Sequence, residues 1–140
     1  MAAKIASRIV RKVVTIDEIR SAQEAAILMT EEFIGSLVVT SKVGITGLFN
    51  ERELMMRVVG QKKDPAEVTL KDVMIKELIK VSPDDSADHC LKLMKEHRCR
   101  HLLVFDGDEF SGIVSLRDIV AHMIDEKESL IKQLEEYITS

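Results

Sequence analysis

Three side chains close together in the second half of the sequence could do chemistry. In GIVSLRDIV, which runs from Gly112 to Val120, a β-branched apolar run ends at Ser115 and a helical pattern follows. Ser115 supplies a hydroxyl, Arg117 a cation and Asp118 a carboxylate. A helix amino terminus offers free N–H groups and a positive dipole end to a phosphate. The hydroxyl can donate to that phosphate, the cation can neutralise it, and the carboxylate can accept hydrogen bonds from both hydroxyls of a ribose.

The same residues also have a purely structural explanation. In a capping box, the Ser115 oxygen accepts a hydrogen bond from an N–H of the first turn, and the Asp118 carboxylate reaches back. In GLFNERE, Asn50 and Glu53 form the equivalent pair, with Arg52 between them. Because Glu53 is longer than aspartate and Asn50 lacks a hydroxyl, this pair suits a ribose and phosphate less well. The residues alone leave both interpretations open.

The two motifs belong to an internal repeat. Placing Gly47 over Gly112 aligns the apolar pattern on both sides without a gap. The shared residues are Ser21 with Ser86, Ala22 with Ala87, Leu28 and Met29 with Leu93 and Met94, Glu31 with Glu96, Val39 with Val104, and Arg52 with Arg117. Self-similarity at a fixed offset indicates duplication of one structural unit.

Each copy predicts the element order β-α-β-β-α. A short strand precedes an amphipathic helix, two strands with hairpin-type turns follow, and a second helix begins at Glu51 or Leu116. Because one copy is too small to bury both faces of its sheet, the two should pack about a pseudo-two-fold axis, giving an α+β fold. The predicted boundaries are 1–125 for the repeat pair, with repeat one at about 12–60, an exposed linker at 61–70 and repeat two at about 71–125, and 126–140 for a C-terminal helical tail.

The first helix of each copy has a predicted start. In repeat two, Ser82 is the predicted N-cap, Pro83 the first helical residue and Asp85 the closing partner of a capping box. In repeat one, Asp17 is the predicted cap. The 3.6-residue spacing places Phe33 on the core-facing side of that helix.

Composition excludes several classes of protein. Hydrophobic residues make up 46% and charged residues 31% of the 140 residues, which is typical of a soluble globular domain. With a net charge of -4, no Trp and dispersed Lys and Arg, we expect no nucleic-acid binding. No apolar run approaches the roughly 20 residues of a membrane span, and the two cysteines suggest no disulfide framework, so we expect a reduced, cytoplasmic protein without a membrane contact. No catalytic motif is present, so we predict no enzyme activity.

A metal site can be imagined in EHRCRH. His97, Cys99 and His101 alternate there, with His89 and Cys90 nearby. Because His97 is expected to end a helix and the ligand set is incomplete, we predict no metal site.

The doubled unit resembles a cystathionine-β-synthase (CBS) domain pair, also called a Bateman module. The hallmark of that family is Gly-hydrophobic-hydrophobic-Thr/Ser-x-x-Asp, which GIVSLRD matches throughout, whereas GLFNERE departs at Asn50 and Glu53. RHLLVFD is similar to the family's second strand. The resemblance implies a non-enzymatic regulatory module that needs no cofactor. Its regulatory ligand would be an adenine nucleotide or derivative (AMP, ADP, ATP, NAD(H) or S-adenosylmethionine), bound between the repeats, and a partner protein of unknown identity would receive the signal.

The resemblance also implies which residues bind the ligand. Apolar strand residues would flank the adenine, and Arg100 and His101 could face phosphates. The main site would comprise Ile113, Ser115, Arg117 and Asp118 with Val13, Val14, Gly35 and Ser36. A second, weaker site would comprise Asn50, Arg52 and Glu53 with Leu78, Ile79, Arg100 and His101.

The two ends of the chain predict additional helices. The basic start MAAKIASRIVRK predicts a short helix or arm rather than a transit peptide. In the tail, Leu130, Leu134, Tyr137 and Ile138 form an apolar stripe that is too short for an independent coiled coil. The tail could dock on the module, extend a dimer contact or bind a partner. Since CBS pairs commonly form homodimers through their helices, we expect a homodimer to which the tail contributes.

Overall fold

The computed structural model describes residues 4–139, which form two compact units. One unit runs from Val13 to Leu78, and the other joins the chain up to Lys12 to the chain from Ile79 onward. Each unit contains a three-stranded sheet and its own helices. The predicted α+β class and element order are therefore confirmed.

The Val13–Leu78 unit is built on a mixed sheet. Strand β1 (Thr15–Asp17) pairs in parallel with β2 (Ser36–Ser41), and β2 pairs with β3 (Gly44–Asn50) in an antiparallel hairpin. The second helix of this unit begins as α2 but continues as a π-helical turn, Leu54–Val58, and a 3-10 turn, Val59–Gln61. The elements are β1 (Thr15–Asp17), α1 (Ala22–Glu32), β2 (Ser36–Ser41), β3 (Gly44–Asn50), α2 (Glu51–Glu53) and α3 (Leu70–Val73).

The other unit repeats this architecture. Strand β4 pairs in parallel with β5, β5 pairs antiparallel with β6, and the register shift at Val104/Phe105 matches the one at Val39/Thr40. A short 3-10 helix, Ile5–Arg8, also belongs to this unit and matches the predicted N-terminal arm. The elements are β4 (Lys80–Val81), α4 (Ala87–His97), β5 (His101–Asp106), β6 (Glu109–Ser115) and α5 (Leu116–Thr139).

The segment that precedes each repeat packs on the other repeat. Ile5 is fully buried in the unit of repeat two, and its equivalent, Leu70, is fully buried in the unit of repeat one. Val10 forms an antiparallel bridge with Ile113, and an equivalent bridge joins Ile75 to Leu48. The predicted exposed linker therefore ends in a buried residue, and residues 71–78, which the sequence assigned to repeat two, fold in the unit of repeat one.

These crossing segments explain the glycine that both motifs share. A Cβ on Gly47 would lie 2.5 Å from Sδ of Met74 and 2.9 Å from the carbonyl oxygen of Ile75. A Cβ on Gly112 would overlap the Val10 carbonyl, and the φ of Gly112 is +154°. Only glycine lets the crossing backbone approach the third strand this closely.

The predicted starts of the first helices are wrong by about one turn. Ser21 caps α1 by accepting from the N–H of Glu24, and Ser86 caps α4 by accepting from the N–H of His89. Asp17 ends β1, where its carboxylate accepts from the N–H of Ile19. In repeat two, Ser82 begins a turn closed by the N–H of Asp85, and Pro83 lies in that turn.

Backbone pairing with the crossing segments explains this delay. Ser86 bridges Lys4, and Ser21 bridges Thr69, so both serines stay extended until they cap their helices. Phe33 also departs from the prediction, because it takes the left-handed position that ends α1 and is 95% exposed. His97 ends α4, as predicted.

Candidate functional site

The Ser115–Asp118 pair forms a complete capping box at the start of α5. The Oγ of Ser115 accepts from the N–H of Asp118 at 3.1 Å and donates to Asp118 Oδ2 at 2.8 Å. The same Oδ2 accepts from the N–H of Ser115 at 3.0 Å. Both side chains are half-buried, and the pair therefore fixes the direction in which α5 leaves β6.

Basic residues lie near this box along the chain and across the sheet. Arg117 is exposed in the first turn of α5, and Ile113 is buried in β6. The carbonyl of Arg100 accepts from the N–H of Leu116 at 2.7 Å, and His101 pairs with Ser115 in the sheet. Since the N–H groups of Leu116 and Asp118 are both already bonded, the charge that this corner offers to an anion is that of the exposed Arg117 side chain.

The equivalent corner of repeat one is built differently. Asn50 accepts from the N–H of Glu53 at 2.9 Å, so it caps α2 as predicted. The Glu53 carboxylate, 13% exposed, pairs with Nε of Arg57 at 2.6 Å. Arg57 also donates to the carbonyl of Met74 at 3.3 Å. This carboxylate is therefore already neutralised by an arginine that is itself held in place.

Arg57 was missed by sequence reasoning, although its spacing from Glu53 is a helical i,i+4 pair. Its equivalent in repeat two is His122, which is buried and lies 2.9 Å from Oε1 of Glu126 rather than pairing with Asp118. The two atoms at this separation are not in hydrogen-bonding geometry. Within residues 4–139, Asp118 therefore has no arginine partner comparable to Arg57, which pairs with Glu53.

The strand residues predicted for the main site lie in the Val13–Leu78 unit. The carbonyl of Val14 accepts from the N–H of Val38 at 3.2 Å, which places Val13 and Val14 beside β2. The carbonyl of Gly35 accepts from the N–H of Glu51 at 3.0 Å, and Ser36 pairs with Asn50 in the sheet. Gly35 and Ser36 therefore lie next to the Asn50–Glu53 corner of their own unit, whereas Val13 and Val14 lie along the other edge of β2.

The residues predicted for the weaker site are divided between the units. Ile79, half-buried, accepts from the N–H of Leu103 at 3.0 Å and lies with Arg100 and His101 in the unit of repeat two. Leu78, also half-buried, ends the other unit. Arg52 is exposed, and its Nε lies 3.3 Å from Sδ of Met56. Each predicted site thus draws on both units, and its composition stays a prediction.

Among residues 4–139, no group of three or more His, Cys, Asp or Glu side chains is placed to hold a metal ion. Within the same range, no helix has both the length and the apolar character needed to cross a bilayer. Burial raises the pKa of the Cys90 thiol to about 11, with a smaller contribution from the nearby Asp85 charge.

Comparison with known proteins defines the class to which this fold and motif belong. The sequence profile of the CBS domain matches the chain twice, at residues 5–60 and 70–125. The chain therefore belongs to the CBS domain family. CBS domain pairs are generally regulatory.

Several relatives show how far the similarity extends. A candidate signal-transduction protein with CBS domains from Burkholderia ambifaria has a solved structure that is 34% identical, with a TM-score of 0.78 over 82% of this chain and 85% of that chain. The CBS domain-containing protein YhcV of Bacillus subtilis is 28% identical over 81% of this chain and 80% of its own length. An uncharacterised protein of Methanopyrus kandleri is 37% identical over 79% of this chain. That match spans only 57% of the archaeal protein, so the archaeal protein contains additional sequence.

Proposed function

We propose that this chain is a regulatory module whose Ser115–Asp118 corner binds an adenosine-containing ligand. The observation that carries the proposal is the full motif GIVSLRD at the start of the long helix α5. Among the described residues, its Asp118 forms no ion pair with an arginine, whereas Glu53 of repeat one pairs with Arg57. The ligand is AMP, ADP, ATP, NAD(H) or S-adenosylmethionine, the class that the family resemblance implies. No catalytic step and no required cofactor are proposed.

While it forms the capping box, Asp118 can still accept hydrogen bonds from the hydroxyls of a ribose. An ionised carboxylate has about four lone-pair sites, and the box uses two of them on Oδ2. The remaining capacity suits the two vicinal hydroxyls of a ribose. The exposed Arg117 side chain would hold a phosphate beside the start of the helix.

The remaining residues of the proposed site come from the family resemblance alone. It adds Val13, Val14, Gly35 and Ser36 to the Asp118 site. A site at Glu53 is proposed as the weaker of the two, because a ligand there must compete with Arg57 for the carboxylate. We therefore expect one high-affinity site per chain.

A thermal-shift panel with matched variants tests the proposal. A ligand at 100 times its dissociation constant stabilises the folded state by about 2.7 kcal/mol, or roughly 5–10 °C for a chain of this size. Asp118→Ala should remove the shift. Ser86→Ala removes a comparable helix cap in α4 and should keep the shift, so it controls for lost stability. No shift for any adenosine compound with the folded wild-type protein would refute ligand binding.

The second candidate function is a structural interaction module without a ligand. It is favoured by the completeness of the capping box, which explains Ser115 and Asp118 without any ligand. Under this alternative, Asp118→Ala and Ser86→Ala both lower stability, and no nucleotide shifts either protein.

The proposed module also self-associates and contacts a partner protein. Two equivalent helical positions in each repeat expose apolar side chains, namely Met55 and Val59 in repeat one and Val120 and Ile124 in repeat two. Burying such repeated apolar positions between two copies would give a homodimer through the CBS helices. Sedimentation velocity over a concentration series distinguishes this from a monomer. The signal to the partner would be a ligand-dependent shift between two states.

A further inference from the structure

Helix α5 has two apolar faces with different roles. Ile119 and His122 are buried, and Leu116 and Met123 pack against the core of their unit. Val120 and Ile124 lie on a different face of the same turns and are 42% and 50% exposed. From Lys127 onward every described residue of α5 is exposed.

The exposed face continues along the whole helix as one seam with heptad spacing. Its residues alternate at intervals of four and three, as in a coiled-coil core. Ile occupies each a position and Val, Lys and Leu the d positions. We call this set the α5 seam: Val120, Ile124, Lys127, Ile131, Leu134 and Ile138.

The two flanks of the seam differ in character. The g positions, which precede each Ile, are Met123, Leu130 and Tyr137. The e positions that follow Lys127 and Leu134 are Glu128 and Glu135. One flank is therefore apolar and the other acidic in the exposed part of the helix.

We propose that the α5 seam pairs in antiparallel orientation with the α5 seam of a second copy of this chain. Centred on Ser129, this register places Val120 opposite Ile138, Ile124 opposite Leu134 and Lys127 opposite Ile131 of the other copy. Antiparallel helices place g beside g. Leu130 then lies beside its own counterpart, and Met123 lies beside Tyr137. The inference deepens the proposed self-association and rests on it.

Charge and polarity favour this orientation over the parallel one. A parallel pair would stack Lys127 on its counterpart in one core layer and would set Met123 against Glu128 and Leu130 against Glu135. Like charges in a buried layer are unfavourable, and so is an unpaired carboxylate against apolar surface. In the antiparallel register, the two Lys127 side chains occupy different layers. The two Glu128 carboxylates then lie beside each other, and the nearby Lys127 ammonium groups offset their repulsion.

The seam does not have to form a helix on its own. An isolated segment of this length would be marginal in water. Here the first turns of α5 are held by the capping box and by the buried Ile119, so the costly nucleus already exists in each chain. The tail only extends a helix that the unit has started.

Sedimentation velocity of the full chain tests whether the seam is the contact. Wild type should sediment as a dimer of about 32 kDa, twice the 15.8 kDa chain. Leu134→Glu buries a charge in the seam and should raise the dissociation constant about tenfold or more. Ser129→Glu adds the same charge on the opposite helix face and should leave it unchanged. A monomeric wild type, or a Leu134→Glu variant as dimeric as wild type, overturns the proposal.

Single-cysteine crosslinking tests the orientation. Cys99→Ser serves as the background, because Cys90 is buried with a pKa raised to about 11 and reacts poorly. In the antiparallel register, Leu130→Cys should crosslink to itself with a short bis-maleimide. Leu134→Cys should not, since the two copies of residue 134 lie about 15 Å apart along the axis.

Crosslinking at residue 134 in preference to residue 130 overturns the antiparallel register, and so does the absence of any crosslink at residue 130. A wild-type dimer that survives Leu134→Glu would retain the proposed self-association but assign it to other helices. Nucleotide shifts should persist in Leu134→Glu, so failure of ligand binding is a separate result.

Discussion

Removing the capping box one partner at a time should reveal how its three hydrogen bonds are shared. Asp118→Ala deletes the bonds from the N–H and Oγ of Ser115 to Oδ2, at 3.0 and 2.8 Å. Ser115→Ala deletes the 2.8 Å bond and the 3.1 Å bond from the N–H of Asp118. Because both side chains are half-buried, each variant should lower the free energy of unfolding by about 1–2 kcal/mol.

The bond between Ser115 Oγ and Asp118 Oδ2 is lost in both single variants, so the double variant should lose it only once. The double variant should therefore be less destabilised than the sum of the singles by about 0.5–1.5 kcal/mol. Urea denaturation without ligand measures all four proteins. Additive effects, or an Asp118→Ala variant as stable as wild type, would refute the described geometry.

Three other predictions follow from individual contacts. Arg57→Met should lower stability by only about 0.5–1.5 kcal/mol, because Arg57 is half-exposed and its ion pair with Glu53 is screened; an unchanged urea midpoint would count against that pair. Gly112→Ala should cost about 1–3 kcal/mol and speed hydrogen exchange of the Val10 N–H, which donates to Ile113; wild-type protection would contradict the close approach. Since burial raises the pKa of Cys90 to about 11, the folded state holds this proton more tightly than the unfolded state does. Stability should therefore fall as pH rises from 9 to about 11, and Cys90→Ala should reduce that slope.

The repeat, the hairpins and the second-helix starts were predictable because each depends on residues close together in sequence. Apolar alternation predicts the strands, and Asn50 and Ser115 cap their helices as their local patterns indicate. Because the offset between the two copies is constant, an element predicted in one copy was predicted at the equivalent residues of the other. Local chemistry was sufficient for these elements.

The crossing segments were not predictable in the same way. Ile5 and Leu70 lie far along the chain from the cores that bury them, so no local pattern shows their partners. The misplaced caps have the same origin, since Asp17 and Ser82 are good cap residues that tertiary pairing overrides. The available signal was the repeat itself, because the alignment of Gly47 with Gly112 also places Ile5 over Leu70.

The capping contacts of Asn50, Ser115 and Asp118 were predictable, but the Arg57 contact that distinguishes the two corners was not. The sequence identified the Glu53 corner as the weaker one from the extra length of Glu53 and from the missing hydroxyl at Asn50. The structure adds that Arg57 neutralises it, which depends on the helical turn and on the carbonyl of Met74. The motif glycines were noticed as shared residues, and their packing role emerged only with the crossing backbone.

Direct titration calorimetry tests the central claim most sharply. AMP, ATP, NAD and S-adenosylmethionine would each be titrated into wild type, Asp118→Ala and Ser86→Ala, with folding verified by circular dichroism. We predict that at least one ligand binds wild type and Ser86→Ala equally, and that Asp118→Ala weakens it about tenfold or more. No binding of any of these ligands to folded wild type, or equal binding to Asp118→Ala, would contradict the account.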